Sequence, residues 1–253
     1  MKIFFITQDD PIYLGEFWHQ LFLNRHRLSE IGVKVTAIVL LKPFGEGLIA
    51  TTMKRVIDPY GLAGSLKLAF YFVKGRIERP PLRRIAHGFG ANFLKNIDIH
   101  SDEFLDFARK QDLLVSVAAP VKIKPSLLYA PRLGSVNLHS GALPRYRGMM
   151  PVFWQLFDGE SRIGVTIHKM NEQLDDGEIV FQSFVDVSNC KTLHEAILTV
   201  KRKSVDFFLE FLSRCEEFMS NPKPNDRRLA CYRSFPKSRD VKEFKKRTGM
   251  NLI

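Results

Sequence analysis

Lys2–Thr7 reads KIFFIT, and Lys34–Leu41 reads KVTAIVLL. Both are short apolar runs rich in β-branched or aromatic residues, the pattern of strands buried on both faces. The polar turn Gln8-Asp9-Asp10-Pro11 ends the first run. Between them a helical pattern runs from Leu14 to Ile31, and Gly32 is a natural stop. Strand, helix and strand within about forty residues make a βαβ unit, which implies a parallel sheet with a right-handed crossover.

Further strands are expected at Asn96–Ile99, Leu113–Val117, Gly134–His139, Gly164–Met170 and Glu178–Val187. Ser101 is a good cap for a helix Asp102–Lys110, with Asp102 and Glu103 in the favourable first turn. Short helices follow near Pro125–Tyr129 and Pro151–Phe157. Thr192 and Glu195 form a T-x-x-E capping box that opens a long helix to about Phe218. Pro222–Asn225 reads as a linker, and Val241–Arg247 as a last, basic helix. The stretch from Lys42 to Gly90 holds helix-like apolar pieces at Leu48–Ile57 and Leu62–Val73, then Arg76, Arg79, a Pro80-Pro81 break and Arg83. Its Phe70-Tyr71-Phe72 cluster is read as a helix packed on the sheet, in preference to one resting on a membrane surface. Two units are expected, residues 1–188 and residues 189–253, the second a long helix with a basic tail.

The chain has 253 residues, 45% hydrophobic and 26% charged, an ordinary globular composition. Cys190, Cys215 and Cys231 allow neither a disulfide framework nor a Cys/His metal site, which suits a reducing cytosol. No apolar run reaches the roughly 18 residues of a membrane span. The start, MKIFFITQDD, meets acids too soon for a signal peptide. A cytoplasmic enzyme with no metal is therefore expected. The net charge is +11, and residues 222–253 hold ten Lys/Arg against three acids, a surplus of seven. Such a patch attracts phosphates, nucleic acid or anionic membranes, although on charge alone a solvated surface is the better reading.

Candidate chemistry starts at Val136-Asn137-Leu138-His139. Alternate strand residues share a face, so Asn137 and His139 point together, away from Val136 and Leu138. Ligands of open α/β sheets gather outside the carboxyl ends of strands, where these two stand. Taken alone, a satisfied structural histidine is the simpler reading. Next come Gly141-Ala142-Leu143-Pro144-Arg145-Tyr146-Arg147-Gly148, a tight loop with two guanidinium groups, and Asp175-Asp176-Gly177 on a turn between strands. Paired acids in a turn are usually solvated, and they gain meaning if one folds back onto His139 to raise its pKa and orient it. No G-x-S-x-G, Walker loop, G-x-G-x-x-G or H-E-x-x-H motif is present. His168 is read as structural, and the remaining histidines lack a convergent neighbourhood.

The ordered series Asn137-Leu138-His139, Leu143-Pro144-Arg145-Tyr146-Arg147-Gly148, Pro151, Trp154, Gly164–His168 and Asp175–Val180 resembles the formyltransferase domain. That domain is shared by glycinamide ribonucleotide transformylase, methionyl-tRNA formyltransferase and the sugar N-formyltransferases. The resemblance covers roughly residues 113–182. It implies an α/β, Rossmann-like, mostly parallel sheet flanked by helices. It implies N10-formyltetrahydrofolate as one-carbon donor and an Asn-x-His plus Asp set, carried here by Asn137, His139 and Asp175, with Asp176 at the variable position. The pterin site it implies lies near Val117, Ala118, Ala119 and Pro120 and the turn at Asp176 and Gly177. Gly141-Ala142 departs from the family's Ser-Leu. In this reading protonated His139 and the Asn137 amide stabilise an oxyanion, and Asp175 holds His139 charged.

The acceptor amine is expected to belong to an amino sugar, nucleotide-linked, in surface-polysaccharide synthesis, with Arg145 and Arg147 meeting its phosphates. Only about 65 residues follow Val187, too few for the second domain that methionyl-tRNA formyltransferases carry. That enzyme, glycinamide ribonucleotide transformylase and a non-catalytic folate- or nucleotide-binding relative are the alternatives, and tRNA remains a less favoured partner for the basic tail.

Overall fold

The computed structural model describes residues 1–42 and 49–253, with the side chains of residues 49–59 outside that description. Its strands are β1 Lys2–Gln8, β2 Lys34–Leu41, β3 Asn92–Lys95, β4 Leu113–Val117, β5 Ser135–His139, β6 Arg147–Gly148, β7 Arg162–Lys169, β8 Ile179–Asp186 and β9 Tyr232–Arg233. Its helices are α1 Leu14–Leu23, α2 Arg25–Glu30, α3 Ile49–Glu78, α4 Leu82–Gly88, α5 Asp102–Arg109, α6 Pro125–Leu128, α7 Pro151–Phe157, α8 Leu193–Ser213, α9 Cys215–Ser220 and α10 Ser238–Thr248.

Seven strands form one sheet in the order β3-β2-β1-β4-β5-β7-β8. The first five are parallel, β7 runs antiparallel to β5, and β8 runs antiparallel to β7. Strand alternation divides the core. Ile3, Phe5, Val115, Val136 and Leu138 enter one apolar cluster, while Phe4, Ile6, Leu114, Ala37 and Val39 enter another. KIFFIT is thus apolar throughout because helices cover both faces. Strand order reverses between β1 and β4, which opens a crevice at their carboxyl ends.

Local chemistry moves several boundaries. The helix expected over 14–31 breaks at Asn24, whose Nδ2 donates to the Gln20 carbonyl, a side chain competing with the helix ladder. The strand expected at Asn96–Ile99 lies earlier, at β3, between Gly90 and Asn96, both at positive φ. Ser101 and Thr192 cap their helices as expected, each accepting from the backbone N–H three residues on. The long helix breaks at Arg214, before the expected Phe218. The pieces expected from Leu48 to Val73 join as α3, with a non-helical Gly61. Leu48 itself lies outside the described residues, as do the side chains through 59.

The Phe70-Tyr71-Phe72 cluster does not all pack inward: Phe70 and Phe72 are exposed, and only Tyr71 turns towards the protein. The tail is drawn in. Val205, Phe208 and Phe211 of α8, Val241 and Phe244 of α10, and Leu252 share the cluster that contains β1 and β7. The expected boundary after residue 188 therefore falls inside a continuous apolar cluster. Tyr232–Arg233 pairs in parallel with Arg147–Gly148, so the tail also braces the loop after β5.

Candidate active site

Asn137 and His139 stand at the carboxyl end of β5, with Asn137 opposite His168 of the antiparallel β7. That register brings His168 into the group. Its Nδ1 donates to the Lys169 carbonyl at 2.8 Å, which leaves Nε2 to accept from Asn137 Nδ2 at 3.2 Å. His139 Nε2 donates to the Tyr146 carbonyl at 2.7 Å, so its Nδ1 faces Asp175. Asp175 Oδ1 lies 3.6 Å from His139 Nδ1 and 3.6 Å from His168 Nε2. Its Oδ2 accepts from the Gly148 N–H at 2.9 Å. Asp175 has φ 51°, a left-handed conformation that asparagine and aspartate tolerate better than other side chains and that marks backbone held in place by its surroundings.

Electrostatics refines the expected protonation. Burial pushes the His139 imidazole below its ordinary value and outweighs the upward pull of Asp175 and the Tyr146 carbonyl; His168 and Lys201 lower it further. The charged His139 expected from sequence is therefore corrected: its favoured resting form is neutral, with the proton on Nε2. Burial raises Asp175, yet the positive charge that His139 and His168 carry when protonated, together with the Gly148 N–H, holds the carboxyl well below the usual carboxylate range.

Asp176 has another task. Its carboxylate accepts from Arg147 at 2.5 Å and from Arg227 at 2.9 and 2.5 Å. The Arg227 hydrogen bonds lead in pulling its pKa down to about 2. Arg147 also donates to Asn225 Oδ1 at 2.9 Å, and Asn225 Nδ2 binds the Asp175 and Gly177 carbonyls. Arg147 and Asp176 are thus two sides of one internal ion pair. That pairing occupies the side chain of Arg147, expected to meet an acceptor phosphate, and that of Asp176, expected at the pterin turn. Arg145 differs: it is exposed, over the Tyr146 ring and 3.5 Å from Glu160. Gly177 leaves no room for a Cβ against the Lys169 carbonyl, so it shapes the turn.

Residues 117–120 run beside this group, because Ser116 of β4 pairs with Asn137. Val117 is buried and its carbonyl accepts from Thr7 at 2.9 Å, whereas Ala118, at φ 55°, turns the chain into the partly exposed Ala119-Pro120. Gly141 is a close approach: a Cβ there would meet the His139 ring and the Tyr146 carbonyl. The departure from Ser at this position therefore lets His139 reach Tyr146.

Of two further neighbours, the sequence reading took His168 as structural and missed Lys201. His168 was legible in principle from its place opposite Asn137. Lys201, from α8, donates to Ser140 Oγ at 3.0 Å, and burial pulls its ammonium down to about 8 against the pull of Asp10. Its signal was a lysine four residues after Ile197 and four before Val205, on the buried face of the helix. A groove of about 780 Å³ bounded by Arg25, His26, Lys34 and Phe89 lies at the amino ends of the strands and includes none of these groups. Among the described residues no cluster of His, Cys, Asp or Glu has metal-site geometry, and no helix is long and apolar enough to cross a membrane.

A mostly parallel sheet thus brings Asn137, His139 and Asp175 together at the carboxyl end of a central strand, the arrangement the motif series implied. A family described as formyl transferase matches residues 89–212, and this part of the chain belongs to that family. Methionyl-tRNA formyltransferase of Geobacter metallireducens is 30% identical over 175 residues, covering 66% of this chain and 55% of that protein. The chain thus spans about half the length of the curated relatives it matches. Among solved structures, a 4-N formyltransferase from Francisella tularensis aligns with TM-score 0.56 and 19% identity over 99% of this chain and 88% of that one. A formyltransferase from Anoxybacillus kamchatkensis, solved with a UDP-linked formamido sugar and tetrahydrofolate, aligns with TM-score 0.51 and 20% identity over 66% of this chain and 93% of that one. At these identities the structural likeness establishes the fold.

Proposed function

We propose that the protein is an N-formyltransferase that moves a formyl group from N10-formyltetrahydrofolate to the primary amine of an amino sugar, nucleotide-linked, with Asn137, His139 and Asp175 as its catalytic residues. The convergence of Asp175 on His139 and His168 beside Asn137 carries this reading. The folate supplies an activated formyl carbon. Backbone of Val117–Pro120 and Gly177 would line its pterin, and the left-handed Ala118 turns that backbone outward beside Asn137.

Asn137 spends one amide hydrogen on His168 and keeps the other for the formyl oxygen. Such a donor is worth about 2.7–4 kcal/mol where charge develops in a water-poor site. Neutral His139 offers Nδ1 to take the proton lost by the attacking nitrogen and to return it to N10 as the formyl C–N10 bond breaks and tetrahydrofolate leaves. Ionised Asp175 beside it stabilises the imidazolium that results. His168 orients Asn137 and Asp175, and Tyr146 fixes the His139 ring. Arg145, exposed beside Glu160, would meet an acceptor phosphate.

An amino-sugar acceptor is supported by the UDP-linked formamido sugar bound in the Anoxybacillus kamchatkensis fold relative. Methionyl-tRNA is the second reading, favoured by the names of the curated relatives. Incubation with N10-formyltetrahydrofolate and, in parallel, nucleotide-linked amino sugars, charged initiator tRNA and glycinamide ribonucleotide, read by mass for one added formyl group, decides among them. Formylation of none sinks the activity; formylation of the tRNA alone replaces the sugar.

A further inference from the structure

Two rows of side chains run along α3 from residue 60 onward. Tyr60, Gly64, Leu68, Tyr71 and Gly75 turn inward, as does Arg79 just past the helix end. Leu62, Leu66, Phe70, Val73 and Ile77 turn outward, 73%, 65%, 63%, 54% and 78% exposed. At 100° per residue the two rows lie roughly half a turn apart. The outer row is a continuous apolar stripe at helical spacing, unlike the scattered single apolar residues of an ordinary surface.

The helix cannot rotate to hide it. Gly75 sits so close to the Pro11 carbonyl that a Cβ would collide. Tyr71 stacks on His194 with ring centroids 4.0 Å apart. Arg79 donates to Glu16 at 2.8 Å and to the Pro11 carbonyl at 2.9 Å. The inner face is therefore tied down along its length.

Cations edge the stripe. By helical position Lys67 and Lys74 flank it on one side and Arg76 on the other. Among the described residues the facing acids are few: Glu78 lies 3.8 Å from Lys74, and Asp9 pairs with Arg76. Helix α10 packs against α3 and exposes Lys242, Lys245 and Lys246. An apolar row edged by lysine and arginine on a chain of net charge +11 is complementary to a surface that is apolar within and anionic at its face. A second copy of the chain is a poorer fit, because pairing two stripes would bring both sets of flanking cations together.

We infer that the exposed face of α3 docks on an anionic lipid bilayer, its five apolar side chains entering the headgroup boundary and its flanking cations meeting lipid phosphates. This inference stands apart from the acceptor assigned above. Docking holds the protein at the membrane while the inner face of α3 keeps its grip on the β1–α1 loop.

Flotation of the full-length protein with vesicles tests it. Binding is expected to phosphatidylcholine vesicles containing one-third phosphatidylglycerol, and not to phosphatidylcholine alone. The double substitution Leu66→Gln/Phe70→Gln is expected to cut the partition by about tenfold or more, and Lys67→Gln/Lys74→Gln to weaken the preference for anionic lipid. Phe70→Trp keeps the apolar surface, and the emission it adds to that of the wild type should shift to the blue on anionic vesicles. No binding to anionic vesicles overturns the inference. So does undiminished binding of the Leu66/Phe70 double variant, or an unshifted emission from the Phe70→Trp variant. A dimer in solution that the same double variant makes monomeric, without vesicle binding, assigns the stripe to a second copy instead.

Discussion

Asp176→Asn should cost the fold, and the size of that cost follows from the contacts of its carboxylate. The Asp176 side chain is 3% exposed and that of Arg147 is 9% exposed, while the second arginine, Arg227, is 63% exposed. The hydrogen bonds of Arg227, Arg147 and Asn171 lower Asp176 from 3.8 to about 2. At 1.36 kcal/mol per unit this amounts to about 2 kcal/mol. Removing one side of a buried ion pair costs about 3–5 kcal/mol, because the other charge is left without a partner. Arg147 keeps Asn225, so the lower end applies, about 3 kcal/mol. For a chain of this size that is a fall in Tm of roughly 6–12 °C. The folded-state pKa is depressed, so the stabilisation is complete above pH ~4 and disappears as pH falls through ~2. Calorimetry of both proteins should show a gap near neutral pH that narrows with acid. An equal Tm at neutral pH, with weakened folate binding as the only defect, would return Asp176 to the cofactor site and refute the clamp.

The pH profile separates the neighbours of His139. Asp175→Asn removes a group that raises the His139 pKa, and Lys201→Met removes one that lowers it. A neutral imidazole accepts the proton, so the acid limb of residual kcat/KM should move down in pH for Asp175→Asn and up for Lys201→Met; NMR titration of labelled His139 checks the signs. Gly141→Ser should displace the His139 ring from the Tyr146 carbonyl, costing about 1–3 kcal/mol of stability and lowering kcat, read by thermal unfolding and steady-state assay. Tail arginines 227, 228, 233 and 247 already bind Asp176, Asp226, Asp158 and Glu243. Binding of tRNA should accordingly be weak and its salt dependence shallow, against a slope of about −0.9 per phosphate contact for a dedicated duplex binder; tight, steeply salt-dependent binding would contradict this.

The parallel sheet was legible because buried strands such as β1 and β4 carry the apolar runs that two covered faces demand. Asn137 and His139 were legible from strand alternation, and Asp175 from the resemblance. Three things were not. The partner of Arg147 depends on Asp176, Asn225 and Arg227 meeting across the tertiary fold, and no local period records that. The protonation of His139 is a contest between burial and Asp175, and sequence shows the charge without the burial. The outward stripe of α3 has the same apolar period as a packed helix; only the contacts of Tyr71, Gly75 and Arg79 reveal which face the protein covers.

The most direct test of the account is the single-turnover rate of formyl transfer, with a formylated acceptor from the parallel screen, for the wild-type protein and for Asn137→Ala and His139→Ala. The roles assigned here predict that each substitution slows transfer by about 10²–10⁴-fold, while bound folate and thermal unfolding stay near wild type. Near-wild-type rates in both variants would contradict the claim that these residues carry the chemistry.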